Sequence, residues 1–240
     1  MAIAYSSAGA GVSTETSGAA LSPQCPATVN AGDILILETA WEGTTTAPSD
    51  PAGWTPLFSA QSVGVASVVA RHWIYGKVAD GSEDGAAVAL GSPAVTTQRA
   101  ARIFSFTGRV SGAIADLVRG FTNTPGDTDP TGPTVTTTVA GALACAFVYQ
   151  HDNNTLETFA GASDTWTERG TVGGFIFALT PGGVLDLLTA TPAANPGTVS
   201  GGAMTVTNDP WSVIGCEIRP SVPVVTIPPK MHHYKTMSAA

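Results

Sequence analysis

The chain has 240 residues, 43% of them hydrophobic and only 12% charged, and it contains 27 glycines and 17 prolines. This composition is too apolar for a disordered chain, and it favours short strands joined by turns over helices. The formal net charge of −8 argues against binding to nucleic acid or to an anionic membrane, because both need clustered Lys and Arg.

The N-terminal stretch MAIAYSSAGAG lacks the charged start and the apolar centre of a secretion signal, so the sequence predicts a protein made in a reducing cytoplasm. Apolar runs such as residues 142–148 are far too short to span a bilayer. The three cysteines, Cys25, Cys145 and Cys216, have the spacing of neither a disulfide framework nor a metal site. We expect Cys145 and Cys216 to be small residues of the core.

Short strand patterns recur along the whole chain and are separated by clusters of Gly, Pro, Asn and Asp. In chain order they are residues 32–41, 67–79, 99–108, 133–140, 141–150, 173–179, 202–207 and 211–220. No stretch of comparable length has the apolar stripe of an amphipathic helix. The sequence therefore predicts an all-β domain over residues 1–219, an antiparallel β-sandwich of the jelly-roll type.

A weak internal repeat links the two halves of the chain. Gly32 matches Gly141 at an offset of 109 residues, and Trp54 matches Trp166 at an offset of 112. Two Greek-key halves folded into one jelly roll would produce such a repeat. The residues before Trp54, Asp50–Gly53, fit a type I turn. We expect a tryptophan after a turn in both halves to cap the core, and the alternative is an exposed ring that binds a ligand.

No residue set has the spacing of a known catalytic motif. Glu38 and Glu42 lie on one face of a strand with their backbones about 13 Å apart, which predicts a solvated strand face rather than a carboxylate pair. His72 and His151 are isolated, and His72 is expected to be partly buried within its apolar strand. The sequence therefore predicts no enzyme, no catalytic residues and no cofactor.

Two acidic loops offer oxygen ligands of the kind that calcium prefers. One contains Asp80, Glu83 and Asp84, and the other contains Asp127 and Asp129. Neither loop matches a known calcium motif, and loops are often acidic because they are solvated. We therefore assign no metal site, and calcium stays an alternative for these two loops.

The C-terminal stretch, residues 220–240, differs in composition from the rest of the chain. It begins with four prolines in ten residues, and its only charged side chains are Lys230 and Lys235. Repeated prolines favour an extended arm, which becomes ordered where a partner binds it. We predict a homo-oligomer, with a trimer favoured, in which this arm contacts another chain, and the alternative is an arm folded back on its own domain. The predicted contact residues are Val224, Ile227, Met231 and Tyr234.

Residues 32–108 carry a strand after "GD", a "DPAGWT" turn, an aromatic strand running into "YGKVADG" and a strand closing with "FTG". This arrangement resembles a recurring pattern in virion proteins of tailed bacteriophages. Residues 133–148 continue the pattern, and "SDTWTERG" resembles its second turn with Asp164 and Thr165 in place of the usual Pro-Gly. The resemblance implies a jelly-roll module on a phage particle, in the tail, the baseplate or the capsid surface, with no catalytic residues.

Three functions are compatible with these observations. The first is a non-enzymatic structural or decorating protein of a virion, made in the cytoplasm of the bacterial host, whose partners are other virion proteins and copies of itself. The second is a carbohydrate-binding module that adheres to host-surface glycans through exposed rings of Trp41, Trp73 and Tyr75. The third, a glycan-cleaving enzyme, needs two converging carboxylates that the sequence does not display.

Overall fold

The computed structural model describes a set of ranges that together form the body of the protein. These are residues 2–14, 19–42, 47–63, 70–91, 99–108, 112–126, 132–151, 166–169, 183–192, 195–201 and 211–220. The predicted contact residues of the arm, Val224, Ile227, Met231 and Tyr234, lie outside these ranges, so the extended arm and its partner contacts stay predictions.

The first half of the chain forms one antiparallel sheet. Its strands are β1 (Ala4–Ala8), β2 (Val12–Thr14), β3 (Ile34–Glu42), β4 (Thr55–Val63), β5 (Ala70–Val78) and β6 (Arg99–Thr107). They lie in the order β1-β6-β3-β5-β4, with β2 also paired to β6. The strands are rich in Val, Ile, Thr and aromatic residues, which suit a pleated surface that is buried on both faces.

The second half of the chain forms the other main sheet. A helix of one turn, α1 (Ile114–Leu117), precedes it. Its strands are β7 (Val118–Gly126), β9 (Leu143–His151), β10 (Thr167–Glu168), β11 (Gly183–Ala190) and β13 (Trp211–Ile218), in the order β10-β11-β9-β13-β7. A short ladder pairs β8 (Val135–Thr136) with β12 (Thr198–Val199). No helix within the described ranges is long and apolar enough to cross a membrane.

The two sheets have the same strand order, so the structure confirms the predicted internal repeat. Each strand of the first sheet has a counterpart at the same position in the second sheet. The counterparts are β1 and β7, β6 and β13, β3 and β9, β5 and β11, and β4 and β10. The bridge between Leu21 and Leu90 in the first half also has a counterpart, the Val135–Val199 pair of the second. The chain is therefore a tandem of two units that share one topology.

The antiparallel β-sandwich is confirmed, but the jelly-roll connectivity is not. A jelly roll passes its strands back and forth between two sheets, whereas this chain completes β1 to β6 in one sheet before it begins the other. Local alternation predicts that a segment is a strand, and it carries no information on which sheet the strand joins.

The inner faces of the two sheets pack against each other and form the main core. Phe104 of the first sheet meets Phe147 of the second, with ring centroids 6.1 Å apart, and Ile36, Leu187 and Ile214 belong to the same fully buried cluster. The outer face of each sheet is apolar as well and is covered by segments of its own half. Cys25, Cys145 and Cys216 are buried free thiols, as predicted for the last two.

The edge strands show how the two units face each other. At one edge Phe58 of β4 stacks on Phe121 of β7, with centroids 5.0 Å apart. At the opposite edge the Tyr5 hydroxyl of β1 donates a hydrogen bond to the Arg169 carbonyl, next to β10. Because β1 corresponds to β7 and β4 corresponds to β10, the two edges are equivalent. The halves are therefore related by an approximate twofold rotation.

Candidate functional site

The turn before Trp54 is built one residue later than the sequence pattern indicated. The Trp54 N–H donates to the Pro51 carbonyl at 3.0 Å, and Gly53 has a φ of 78°. A glycine with positive φ at the third position is the mark of a type II turn, so the type I prediction over Asp50–Gly53 is wrong. Trp54 and its counterpart Trp166 are both buried, which confirms that each caps apolar packing.

The three rings assigned to glycan binding are buried in the outer core of the first sheet. Trp41, Trp73 and Tyr75 have 1%, 4% and 1% of their surface exposed. Trp41 packs edge-on against Trp73, and its indole N–H donates to the Thr39 hydroxyl. Residues 21–29 and their neighbours pack on this face of the sheet, so the rings have almost no exposed surface for a sugar, although Trp73 and Tyr75 border an open cavity of about 460 Å³ beside β4. Their assignment as glycan contacts is therefore corrected.

The first acidic loop uses its carboxylates to hold its own backbone. Glu83 accepts hydrogen bonds from the N–H groups of Asp80 and Gly81, and it pairs with the Lys77 ammonium at 2.7 Å. Partial burial acts to raise the pKa of Glu83, but the bonds from Lys77 and the two N–H groups outweigh it and lower that pKa. Asp84 accepts from the Val29 N–H at 2.6 Å.

No three His, Cys, Asp or Glu side chains within the described ranges converge on a point where a metal ion could bind. The second acidic loop, with Asp127 and Asp129, lies outside those ranges.

A buried polar cluster between the two sheets is the main feature that the sequence did not predict. Glu38 and His72 have no exposed surface, and Glu38 Oε1 lies 2.7 Å from His72 Nε2. Arg102 stands directly opposite Glu38 across the β3–β6 ladder, and the His72 ring lies 6.2 Å from that of Tyr149 in the second sheet. Glu38 therefore faces the core, and its interpretation as part of a solvated strand face is wrong.

Burial controls the protonation of this cluster. Removal from water raises the pKa of Glu38 well above its usual value; the Asp186 charge adds to this rise, and Arg102 opposes it. Burial lowers the pKa of His72 to about 3. Glu38 Oε2 and His72 Nδ1 have no hydrogen-bond partner among the described residues. The pair therefore holds one proton in its shared hydrogen bond over a wide range of pH.

The second half carries apolar residues at the positions of the cluster. Phe147 is the counterpart of Glu38, because the two are separated by 109 residues, the same offset that separates Gly141 from Gly32. Leu185 occupies the place of His72, and Ile214 that of Arg102, in the corresponding strand pairs. All three are fully buried. Aligning the two halves of the sequence would have marked Glu38 as a charge at a core position.

An open groove lies on the outer side of the first sheet, between the turn at residues 51–54 and the segment 86–89. Its volume is about 290 Å³, and Cys25, Trp54 and Lys77 contribute to its walls. The groove is small for a ligand site, since such sites usually begin near 300 Å³. We call it the turn groove.

Comparison of the chain with known protein families, with curated proteins and with solved structures gives no match. The interpretation of function therefore rests on the molecule itself.

Proposed function

We propose that the protein is a non-enzymatic structural or decorating component of a tailed-phage virion. In this proposal the double-sheet body is displayed on the particle, and residues 220–240 tether it to neighbouring chains. Its partners are other virion proteins and further copies of itself, in a homo-oligomer for which a trimer is favoured. It is made in the cytoplasm of the bacterial host and functions in the particle.

The observation that supports this proposal is the position of the residues that resemble the virion pattern: residues 32–108 supply β3 to β6 of the first sheet, and residues 133–148 supply β8 and most of β9. Gly32 and Gly141, which begin the pattern in each half, both have positive φ, at 91° and 81°. Trp54 and Trp166, which follow its turns, are both buried in the apolar cover of their sheet. The residues that resemble the virion pattern are thus those that shape the body.

The polar groups of the body also favour a structural role over a catalytic one. Glu38 and His72 form a hydrogen-bonded pair of the kind found in active sites, but both are closed off between the two sheets. A general acid or base must reach the proton that it transfers. Their burial therefore keeps this pair from contact with a substrate.

The proposal is tested by deleting residues 221–240 in the phage that encodes the chain. We expect the truncated protein to be folded, with the circular dichroism spectrum of the full chain, and to be missing from purified particles. A matched variant in which residues 236–240 alone are removed controls for the change of terminus and should be incorporated normally. Incorporation of the 221–240 deletion at the level of the full chain would refute the tethering role.

A further inference from the structure

The turn groove has an unpaired strand edge along one wall. In the segment 86–90, alternate residues bond inward to the segment 21–25. The Ala86 carbonyl accepts from the Cys25 N–H at 2.9 Å, and the Val88 N–H donates to the Pro23 carbonyl at 2.9 Å. Because backbone groups alternate in direction along a strand, the N–H and C=O groups of Ala87 and Ala89 point to the other side.

These outward groups face the groove and find no partner among the described residues. Gln24 and Ala87 face each other as a pair that exchanges no hydrogen bonds. The bonds to the segment 21–25 are made instead by Ala86 and Val88, on either side of Ala87. Ala87 and Ala89 are exposed and line the groove together with Pro51 and Trp54. An edge of this kind accepts an added strand, with main-chain bonds on one side and apolar contacts beside them.

We propose that residues 221–229 of a neighbouring copy bind in the turn groove as an added strand. This inference rests on the proposed tethering role and names the surface that the arm contacts. The sequence of this segment, SVPVVTIPP, fits a one-sided edge. In this register Val222, Val224 and Thr226 direct their backbone groups toward Ala87 and Ala89. Pro223 then directs its backbone away from the groove, where its missing N–H leaves no hydrogen bond unmade.

The chemistry of the groove also matches this occupant. The exposed lining residues Ala52, Ala87 and Ala89 offer apolar surface to the prolines and valines, and Pro51 and Trp54 are buried in the same wall. Asp50 and Asp84 are exposed and lie next in sequence to the lining residues Pro51 and Glu83, and the exposed carboxylate of Asp80 accepts hydrogen bonds from the lining residue Ser82. The arm carries Lys230 and Lys235 and no acidic residue. Opposite charges at the rim of an interface favour the correct partner and speed its association.

The place where the arm leaves the body supports exchange between copies. Ile3 N–H donates to the Gly141 carbonyl, which brings the start of β1 and the start of β9 to one end of the sandwich. Pro220 reaches the Gly141 position at that same end. Val78, beside the groove residue Lys77, also ends its strand there. Two copies that meet at this end can exchange arms over a short span.

The proposal is tested in the full chain by a cysteine pair, Ala89→Cys with Thr226→Cys. Oxidised glutathione converts a close thiol pair into a protein disulfide and is itself reduced to two glutathione thiols. An equal mixture of ¹⁵N-labelled and unlabelled protein then shows by mass spectrometry whether the disulfide joins two chains. The matched control is Thr198→Cys with Thr226→Cys, because Thr198 is exposed and lies 109 positions after Ala89, in the corresponding cover of the second sheet.

We expect the fraction of protein cross-linked between chains to be about tenfold higher for the position 89 pair than for the control pair, because docking raises the local concentration of the two thiols. Adding Ala87→Pro removes an outward N–H and should abolish this excess, whereas Ala87→Ser should retain it. Equal cross-linking at both positions, disulfides only within one chain, or indifference to Ala87→Pro would overturn the proposal. If the 221–240 deletion is nevertheless missing from particles, the tethering role stands and only its site is wrong.

Discussion

Glu38 and His72 share a hydrogen bond of 2.7 Å between the two sheets, where neither side chain has any exposed surface. The same place in the second half is occupied by Phe147 and Leu185. The approximate twofold thus superimposes a polar pair on an apolar one. The apolar pair Phe147 and Leu185 therefore shows which side chains the same fold accepts at these two positions in place of Glu38 and His72.

The pair should give the protein a stability plateau between about pH 4.5 and 6.5. The lowered pKa of His72 means that its contribution is lost as pH falls from 6.5, the usual value, toward about 3. The raised pKa of Glu38 means that its contribution is lost as pH rises above 4.5. Between these values the two slopes cancel, and outside them stability falls by at most about 1.4 kcal/mol per pH unit. Urea midpoints measured from pH 3 to 9 check this.

Glu38→Gln is the control for that measurement. The amide keeps a hydrogen bond to His72 and cannot ionise, so the loss of stability above the plateau should shrink while the acidic loss remains. Arg102 and Asp186 are the other charges that act on this pair, and both are unchanged in the variant. An identical pH profile for the variant and the natural chain would show that Glu38 does not titrate with folding.

Removing one member of the cluster should be worse than removing all of it. His72→Leu leaves the neutral Glu38 carboxyl buried without its hydrogen-bond partner, and we expect a loss of about 1–3 kcal/mol in the free energy of unfolding. Combining Glu38→Leu, His72→Leu and Arg102→Ile makes the first half resemble the second and should recover most of that loss. Denaturant unfolding of the single and triple variants checks this. Additive losses would mean that the three side chains do not act as a unit.

Gly53 and Gly141 should respond differently to alanine although both have positive φ, at 78° and 81°. A Cβ at Gly53 would meet no atom within 4 Å, so Gly53→Ala should cost only the backbone strain, about 1–2 kcal/mol. A Cβ at Gly141 would lie 3.1 Å from Ala2 Cα, which adds crowding to the same strain. Thermal unfolding of the two variants checks this, and a smaller loss for Gly141→Ala would contradict the described packing.

The three thiols should be unreactive while the protein is folded. Burial raises the pKa of Cys25 to about 11 and raises those of Cys145 and Cys216 above their usual value, so thiolate is scarce near neutral pH. A chromogenic disulfide reagent at pH 7.5 should label none of them in buffer and all three in denaturant. Rapid labelling of the folded protein would indicate that the sandwich opens.

Particular residues show what the sequence could and could not predict. The Gly32–Gly141 and Trp54–Trp166 matches indicate the repeat, although weakly, because a glycine with positive φ and a tryptophan that caps a core are each hard to replace. The position of Glu38 cannot be predicted from its strand alone, because one charged residue after Ile34 and Ile36 suggests a solvated face, and it is the opposite sheet that buries that face. The burial of Trp41 and Trp73 is equally hidden in the sequence, because the segments that cover them lie outside their own strands.

The central claim is that the chain is a virion component, and it implies that a tailed phage encodes the chain. Quantitative mass spectrometry of particles purified from that phage tests the claim most directly. We expect the protein in a fixed number of copies per particle, and this number should be a multiple of three if the favoured trimer is right. Particles that are complete and infectious but contain none of the protein would contradict it.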